Sequence, residues 1–317
     1  MTDAAPQQPK SRRPRFRRAP QPPAFRLTDG DIAIVREISR HRFLRSTQIA
    51  KLVGRSLDRT NDRLSLLFHA GYIDRPRAQL DRLPTDGSSH MVYALATDGA
   101  RLLKAYDGTA LPRLDLSHKN KSALQPFIEH QLEIVDFYVA LQSATRARKD
   151  VALIHPEEII AAFPERTRAE RNPLKLKVQM SHKGKVQDFG LVPDFVFGLR
   201  FSDGSRRCFV VEIDRGTMPI VRSDHSQTSF AEKMRAYVAV HASNQHEQRY
   251  GWKAFRVLTI TTGQKRVQAM IDALRALPQP RGPGASLFFF TPRNVIANGD
   301  PLLDVWLSGS GQSVALI

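Results

Sequence analysis

The chain has 317 residues, 41% of them hydrophobic and 25% charged, a composition that supports two compact cores and excludes a chain unable to fold. No run approaches the ~18 apolar residues that cross a bilayer and no apolar core marks a secretory signal, so a cytoplasmic protein without a membrane partner is expected. The net charge of +17 points to a polyanion, DNA or RNA, bound in a salt-sensitive way through counterion release; the alternative is solubility alone. The single cysteine, Cys208, excludes an internal disulfide and, among strand-type residues, reads as a structural thiol.

In chain order, residues 1–26 carry six prolines and a net charge of +6 and are expected to form a disordered basic arm. The prolines also oppose the amphipathic helix of a transit peptide. From Thr28, a plausible N-cap, Ile32, Val35 and Ile38 repeat at helical spacing. A second helix is predicted from Ser46 to Gly54, and a third from Ser56 to about Ala70, closed by Gly71. Segments 72–75 and 91–95 read as strands around a polar loop with Pro84, Asp86 and Gly87. Thr97 is expected to cap a further helix, so that 27–108 forms a winged helix-turn-helix domain. A linker is expected over 109–122, an α/β domain over 123–308 and a tail over 309–317. The second domain opens with a helix over 127–141; strands follow at 151–154, 174–180, 191–200, 207–214, 255–260 and 287–290, with helices over 229–242 and 264–277.

In a winged helix the third helix enters the major groove. Ser56, Arg59, Thr60 and Arg63 are predicted to face outward there, with Arg55 adding a third charge. Arg75, Arg77 and Arg82 in the wing are expected to touch the phosphate backbone of double-stranded DNA. The alternative is that Arg59 and Arg63 pair with Asp58 and Asp62 on a solvated helix.

The most informative stretch is Pro193-Asp194-Phe195-Val196-Phe197 and, after a polar turn, Val211-Glu212-Ile213-Asp214-Arg215-Gly216-Thr217. Strand alternation puts Glu212 and Asp214 on one face. A two-residue turn would send Asp194 to the opposite face. A three-residue Ser202-Asp203-Gly204 loop, with Gly204 left-handed, sets Asp194 opposite Glu212, and this register is expected. Converging carboxylates with open coordination sites suit Mg²⁺ and phosphodiester hydrolysis.

The order Pro-Asp, hairpin, Glu-x-Asp resembles the PD-(D/E)XK nuclease superfamily. That resemblance implies a metal site of Asp194, Glu212 and Asp214, with catalysis supported by a lysine. Asp214 stands where the lysine is usual, and the resemblance implies Lys233, with Tyr237 one turn on, as its replacement and Glu133 (or Glu129) as an added carboxylate. The alternatives are that Lys233 is a structural partner of Asp214, and that the fold is catalytically inert.

Taken with the Leu27-Thr28-Asp29 opening, the Glu129-His130-Gln131-Leu132 helix and Lys233 through Tyr237, these motifs resemble the replication-relaxation family over about residues 27–290. The resemblance implies an accessory role in plasmid replication, DNA relaxation or conjugative mobilisation, with replication or relaxosome proteins as further partners. The fold expected is α/β (α+β overall), a winged helix-turn-helix followed by a PD-(D/E)XK nuclease-like mixed sheet. A DNA-binding accessory factor leads; a Mg²⁺-dependent endonuclease or nickase and a transcriptional regulator are the alternatives.

Overall fold

The computed structural model describes residues 15–82, 90–108, 116–182, 185–222, 228–277, 284–303 and 305–317. The chain is of mixed α and β structure and divides into two compact units, Met1–Val135 and Asp136–Ile317.

In the first unit, α1 (Asp29–His41) begins at Thr28, whose hydroxyl takes the Asp31 amide while the Asp31 carboxylate takes the Thr28 amide at 2.8 Å. This reciprocal cap satisfies amides that the first turn would leave open. A three-residue strand, β1 (Phe43–Arg45), leads into α2 (Ser46–Val53). Gly54, at φ 67°, turns the chain into α3 (Leu57–His69), a backbone geometry that favours glycine. Then come β2 (Ile73–Asp74), a 3₁₀ turn (Arg77–Arg82), β3 (Val92–Leu95), α4 (Thr97–Asp107) and α5 (Leu116–Lys121). The strands form an antiparallel sheet in the order β1-β3-β2. Ile34, Val35, Ile38, Phe43, Leu64, Leu67 and Ile73 are sealed from solvent at its centre. The loop expected around Pro84, Asp86 and Gly87 lies outside the described residues, as do 109–115. The cap of α4 is Ala96, with Thr97 as the first helical residue.

Two expectations change here. β1 is too short to carry an alternation and escapes the sequence pattern. Residues 15–26, expected to be unpacked, lie against the first unit: Arg18 donates to the carbonyls of Phe68 (2.9 Å) and Ile73 (3.1 Å) and to Asp74 (2.7 Å), and the Ala19 amide donates to His69 Nδ1 at 3.0 Å. Carbonyls at the end of α3 concentrate negative potential, which holds one arginine of an otherwise featureless segment.

α6 (Gln125–Arg146) contains the division between the units. After it the chain forms β4 (Val151–Ile154), α7 (Pro156–Ala161), α8 (Glu165–Arg168) and a separate hairpin of β5 (Leu176–His182) and β6 (Lys185–Leu191). Then follow β7 (Phe195–Phe201), β8 (Arg206–Ile213), α9 (Phe230–Ala242), α10 (Gln245–Tyr250), β9 (Arg256–Thr261) and α11 (Gln264–Ala276). The last elements are α12 (Gly284–Leu287), β10 (Phe288–Pro292), α13 (Arg293–Asn298), β11 (Trp306–Ser308) and β12 (Ser313–Val314).

The main sheet runs β12-β11-β10-β9-β8-β7-β4, with β8, β9 and β10 mutually parallel and the outer pairs antiparallel. Helices α9 and α11 supply the crossovers that parallel neighbours require. On one face Val196, Val210 and Val257 join Met234, Tyr237 and Ile271 in a single core. On the other, Phe137 meets Phe195 (5.9 Å), Phe197 (6.1 Å) and Trp306 (5.9 Å). The segment expected to be a free tail from 309 completes the sheet edge, because β12 pairs with β11. Among the described residues no helix is long and apolar enough to cross a membrane.

Candidate functional site

Two groups of side chains carry chemistry. In the first unit, Gly54, Arg55, Ser56, Arg59, Asp62, Arg63 and Leu66 line an open concavity of about 820 Å³. Arg55, Ser56 and Arg59 are exposed, as are Asp58 and Asp62. Thr60, expected to face outward with them, is fully buried and returns its hydroxyl to the Ser56 carbonyl at 2.8 Å. The correction has a signal in the sequence: Thr60 is four residues before Leu64 and seven before Leu67, so it shares their buried stripe.

Arg63 does not pair with its helix neighbours Asp58 or Asp62. Its fork closes on Asp31, Nε to Oδ1 at 2.8 Å and a terminal nitrogen to Oδ2 at 2.5 Å, and also reaches the Arg26 carbonyl at 3.0 Å. Asp31 has no exposure. Burial works to raise its carboxyl, and the bonds from Arg63 and Thr28 outweigh this and hold it below the usual carboxylate value. Arg75 is packed between rings, 4.2 Å from the Phe68 centroid and 5.3 Å from that of Tyr93, and donates to the Arg15 carbonyl at 2.6 Å. Arg77 is exposed, and the Arg82 side chain lies outside the described residues.

The second group sits in the second unit at the carboxyl ends of the parallel strands. β7 and β8 pair with Phe195 opposite Val211 and Arg200 opposite Arg206, which leaves the three-residue loop 202–204 with Gly204 at φ 80°. One step further, this register sets Asp194 opposite Glu212. The Asp194 carboxylate accepts the Ile213 amide at 2.7 Å, so it also secures the end of β8.

Glu212 is buried, at 1% exposure. One of its oxygens accepts from the Lys233 ammonium and the other from the Tyr237 hydroxyl at 2.5 Å. Lys233 and Tyr237 are one turn apart on α9, so both point to the same strand position. Burial pushes the Glu212 carboxyl up to about 7, with Asp194 adding to the rise and Lys233 opposing it. For Lys233, burial works downward and is outweighed by Glu212 and Asp194, which raise it. Tyr237 is raised well above its usual value by burial and by the Glu212 carboxylate.

Asp214 has a different set of partners. Arg266 grips it with two bonds (2.5 and 2.9 Å), Thr261 donates its hydroxyl at 2.5 Å and the Gly216 amide donates at 3.3 Å. Lys233 bonds Glu212 and not Asp214. Arg266, in the first turn of α11, was not anticipated: it lies 52 residues from its partner, and no spacing rule connects them. The arrangement ties the β8 exit loop to the β9–α11 turn, since Arg266 also donates to the Met218 carbonyl at 2.5 Å.

Glu133 and Glu129 lie on the part of α6 that belongs to the first unit, half-buried and buried respectively. Mg²⁺ needs six oxygens with room to bind. Both Glu212 oxygens and both Asp214 oxygens already accept protein donors, and among the described residues no three His, Cys, Asp or Glu side chains form a group that could hold a metal ion. As arranged, the donor set does not fit the cation.

A family model described as Replication-relaxation matches residues 35–254. The chain belongs to the replication-relaxation family. The match covers α3, both hairpin acids, Lys233 and Tyr237, and stops before Arg256 and Arg266. No curated protein and no solved structure matches the chain. Family membership ties the protein to replication and relaxation functions.

Proposed function

We propose that this replication-relaxation protein binds duplex DNA as an accessory factor for plasmid replication, relaxation or mobilisation, with α1, α2, α3 and the β1-β3-β2 sheet acting as a winged helix-turn-helix. The observation that carries this reading is the exposed cluster of Arg55, Ser56 and Arg59 around an open concavity where α3 begins. The N-terminal residues of a recognition helix are the ones that reach base edges. A chain of net charge +17 adds the sequence-independent attraction. In this reading Arg63 holds the helix in place and Arg77 contacts phosphate. Replication or relaxosome proteins are the further partners it expects.

Titration of duplex DNA between 50 and 200 mM salt tests the proposal. The Arg55→Ala/Arg59→Ala double variant should bind at least about 30-fold more weakly, at roughly 1–3 kcal/mol for each of the two contacts. The slope of log affinity against log salt should flatten by about 0.9 for each phosphate contact removed. Unchanged affinity and slope in a folded variant would remove α3 as the interface.

The second unit is read as a PD-(D/E)XK-like fold serving a binding or assembly role, because both oxygens of Glu212 and of Asp214 already accept protein donors and Asp194 accepts the Ile213 amide. Supercoiled plasmid incubated with Mg²⁺ or Mn²⁺ should stay uncut. Metal-dependent nicking that disappears in both Asp194→Ala and Glu212→Ala would reinstate the endonuclease reading.

A further inference from the structure

At the end of the main sheet opposite Glu212, β8 overhangs β9: their pairing begins only at Phe209 with Arg256, so 206–208 extend past the start of β9. The overhang, the start of β9, Phe289 and the segment at Ala315 and Leu316 enclose a pocket of about 250 Å³. Three basic residues, Arg206, Arg207 and Arg256, are among those that line it. Arg207 donates to the Leu316 carbonyl at 2.8 Å and lies 4.8 Å from the Phe201 ring centroid, and Arg256 donates to the Phe255 carbonyl at 3.1 Å. Among the described residues none of the three forms an ion pair with a carboxylate. The lining therefore combines three basic residues with the rings of Phe209, Phe255 and Phe289. Neighbouring cations repel one another, and a bound anion would offset that repulsion.

We propose that this pocket is a phosphate-binding site, taking one phosphate ester group from a nucleotide or from a DNA strand. Arginine forks match the geometry of phosphate oxygens. The volume lies just below the ~300 Å³ at which small-molecule pockets begin, which suits a phosphate with its sugar and excludes a duplex from entering whole. Burial and the neighbouring Arg207 lower the Arg256 guanidinium, in accord with cations held together without an acid. The site is independent of α3.

Cys208 lines the same pocket and is the only cysteine in the chain, so its alkylation reports occupancy directly. Burial pushes its thiol up to about 11, against the pull of Arg206; a bound phosphate would neutralise Arg206 and cover the sulfur, and both effects slow the reaction. The experiment measures the rate of Cys208 modification by N-ethylmaleimide at pH 9 in the full chain. Ionic strength is held constant with chloride while inorganic phosphate, a deoxynucleoside monophosphate, or a 12-mer with or without a 5′-phosphate is added.

Saturable slowing of at least fivefold by a phosphate compound, lost in Arg256→Gln and in Arg206→Gln, is expected. Protection by the monophosphate assigns the source as a free nucleotide; protection only by the 12-mers assigns it to a strand, and a requirement for the 5′-phosphate assigns it to a strand end. The Arg55→Ala/Arg59→Ala variant should show the same protection, which separates this site from the α3 interface. No saturable protection by any compound, or equal protection in the Arg256→Gln variant, overturns the proposal.

Discussion

Lys233→Met is expected to destabilise the second unit by about 3–5 kcal/mol at pH 8, the usual cost of leaving one half of a buried ion pair behind. The reason lies in what Lys233 neutralises. Glu212 is 1% exposed and its neighbour Asp194 adds to the local negative charge. The loss should shrink towards pH 5, because the Glu212 carboxyl then takes up a proton and no longer needs a cation.

The same logic gives the intact protein a pH dependence. The folded-state value of Glu212 is raised from 4.5 to about 7, so between these values the folded chain holds a proton that the unfolded chain has released. Stability from this group is fully present below about pH 4.5 and declines as pH rises through 7. At ~1.4 kcal/mol per unit the decline amounts to roughly 3 kcal/mol. Glu212→Gln should abolish it, and Glu212→Gln/Lys233→Met should recover most of what Lys233→Met loses. Both tryptophans, Trp252 and Trp306, belong to the second unit, so urea midpoints read by their fluorescence report it selectively. An equal loss for Lys233→Met at pH 5 and pH 8 would show that packing, and not charge, is what Lys233 contributes.

The residues that were legible in the sequence are those whose placement follows from local periodicity. Asp203-Gly204 marks the hairpin but leaves two loop lengths open; the three-residue loop is expected because it gathers the acids, and its register sets Asp194 opposite Glu212. Glu212 follows by alternation, whereas Lys233 with Tyr237 follows only from the resemblance to the nuclease superfamily, their spacing then putting both on one face of a helix. What stayed hidden depends on pairing across distance. Asp214 lies on an expected strand, yet its fate is set by Arg266 and Thr261, which arrive from another crossover. Arg18 carries no mark in the sequence that sets it apart within a basic, proline-rich segment, and its bonds to the carbonyls of Phe68 and Ile73 appear only in the fold. Strands of two or three residues, such as β1, β11 and β12, are too short for any alternation to be read. The replication-relaxation resemblance rested on the Glu212 to Thr217 run and Lys233 with Tyr237, and all of these lie inside the matched residues 35–254.

Arg63→Ala is expected to destabilise the first unit by about 2–3 kcal/mol, in the range for charge-assisted hydrogen bonds to a buried carboxylate. The figure is set below that for Lys233 because the Arg63 side chain is 24% exposed, so water screens part of the interaction, and because Thr28 still donates to Asp31 through its amide and hydroxyl, both at 2.8 Å. The folded-state value of Asp31 lies below 3.8. Its contribution is therefore present above that value and is lost as pH falls through the folded one, so Arg63→Ala should also blunt acid unfolding of this unit. Amide hydrogen exchange over α1 and α3 measures the change without interference from the tryptophan-bearing unit. Arg63→Lys retains the charge but not the fork, and should recover only part of the loss. The same variant separates structural support from DNA reading: with the unit folded, its DNA affinity should fall less than threefold, whereas a loss as large as that of Arg55→Ala/Arg59→Ala would place Arg63 at the bases and not beneath the helix that reads them.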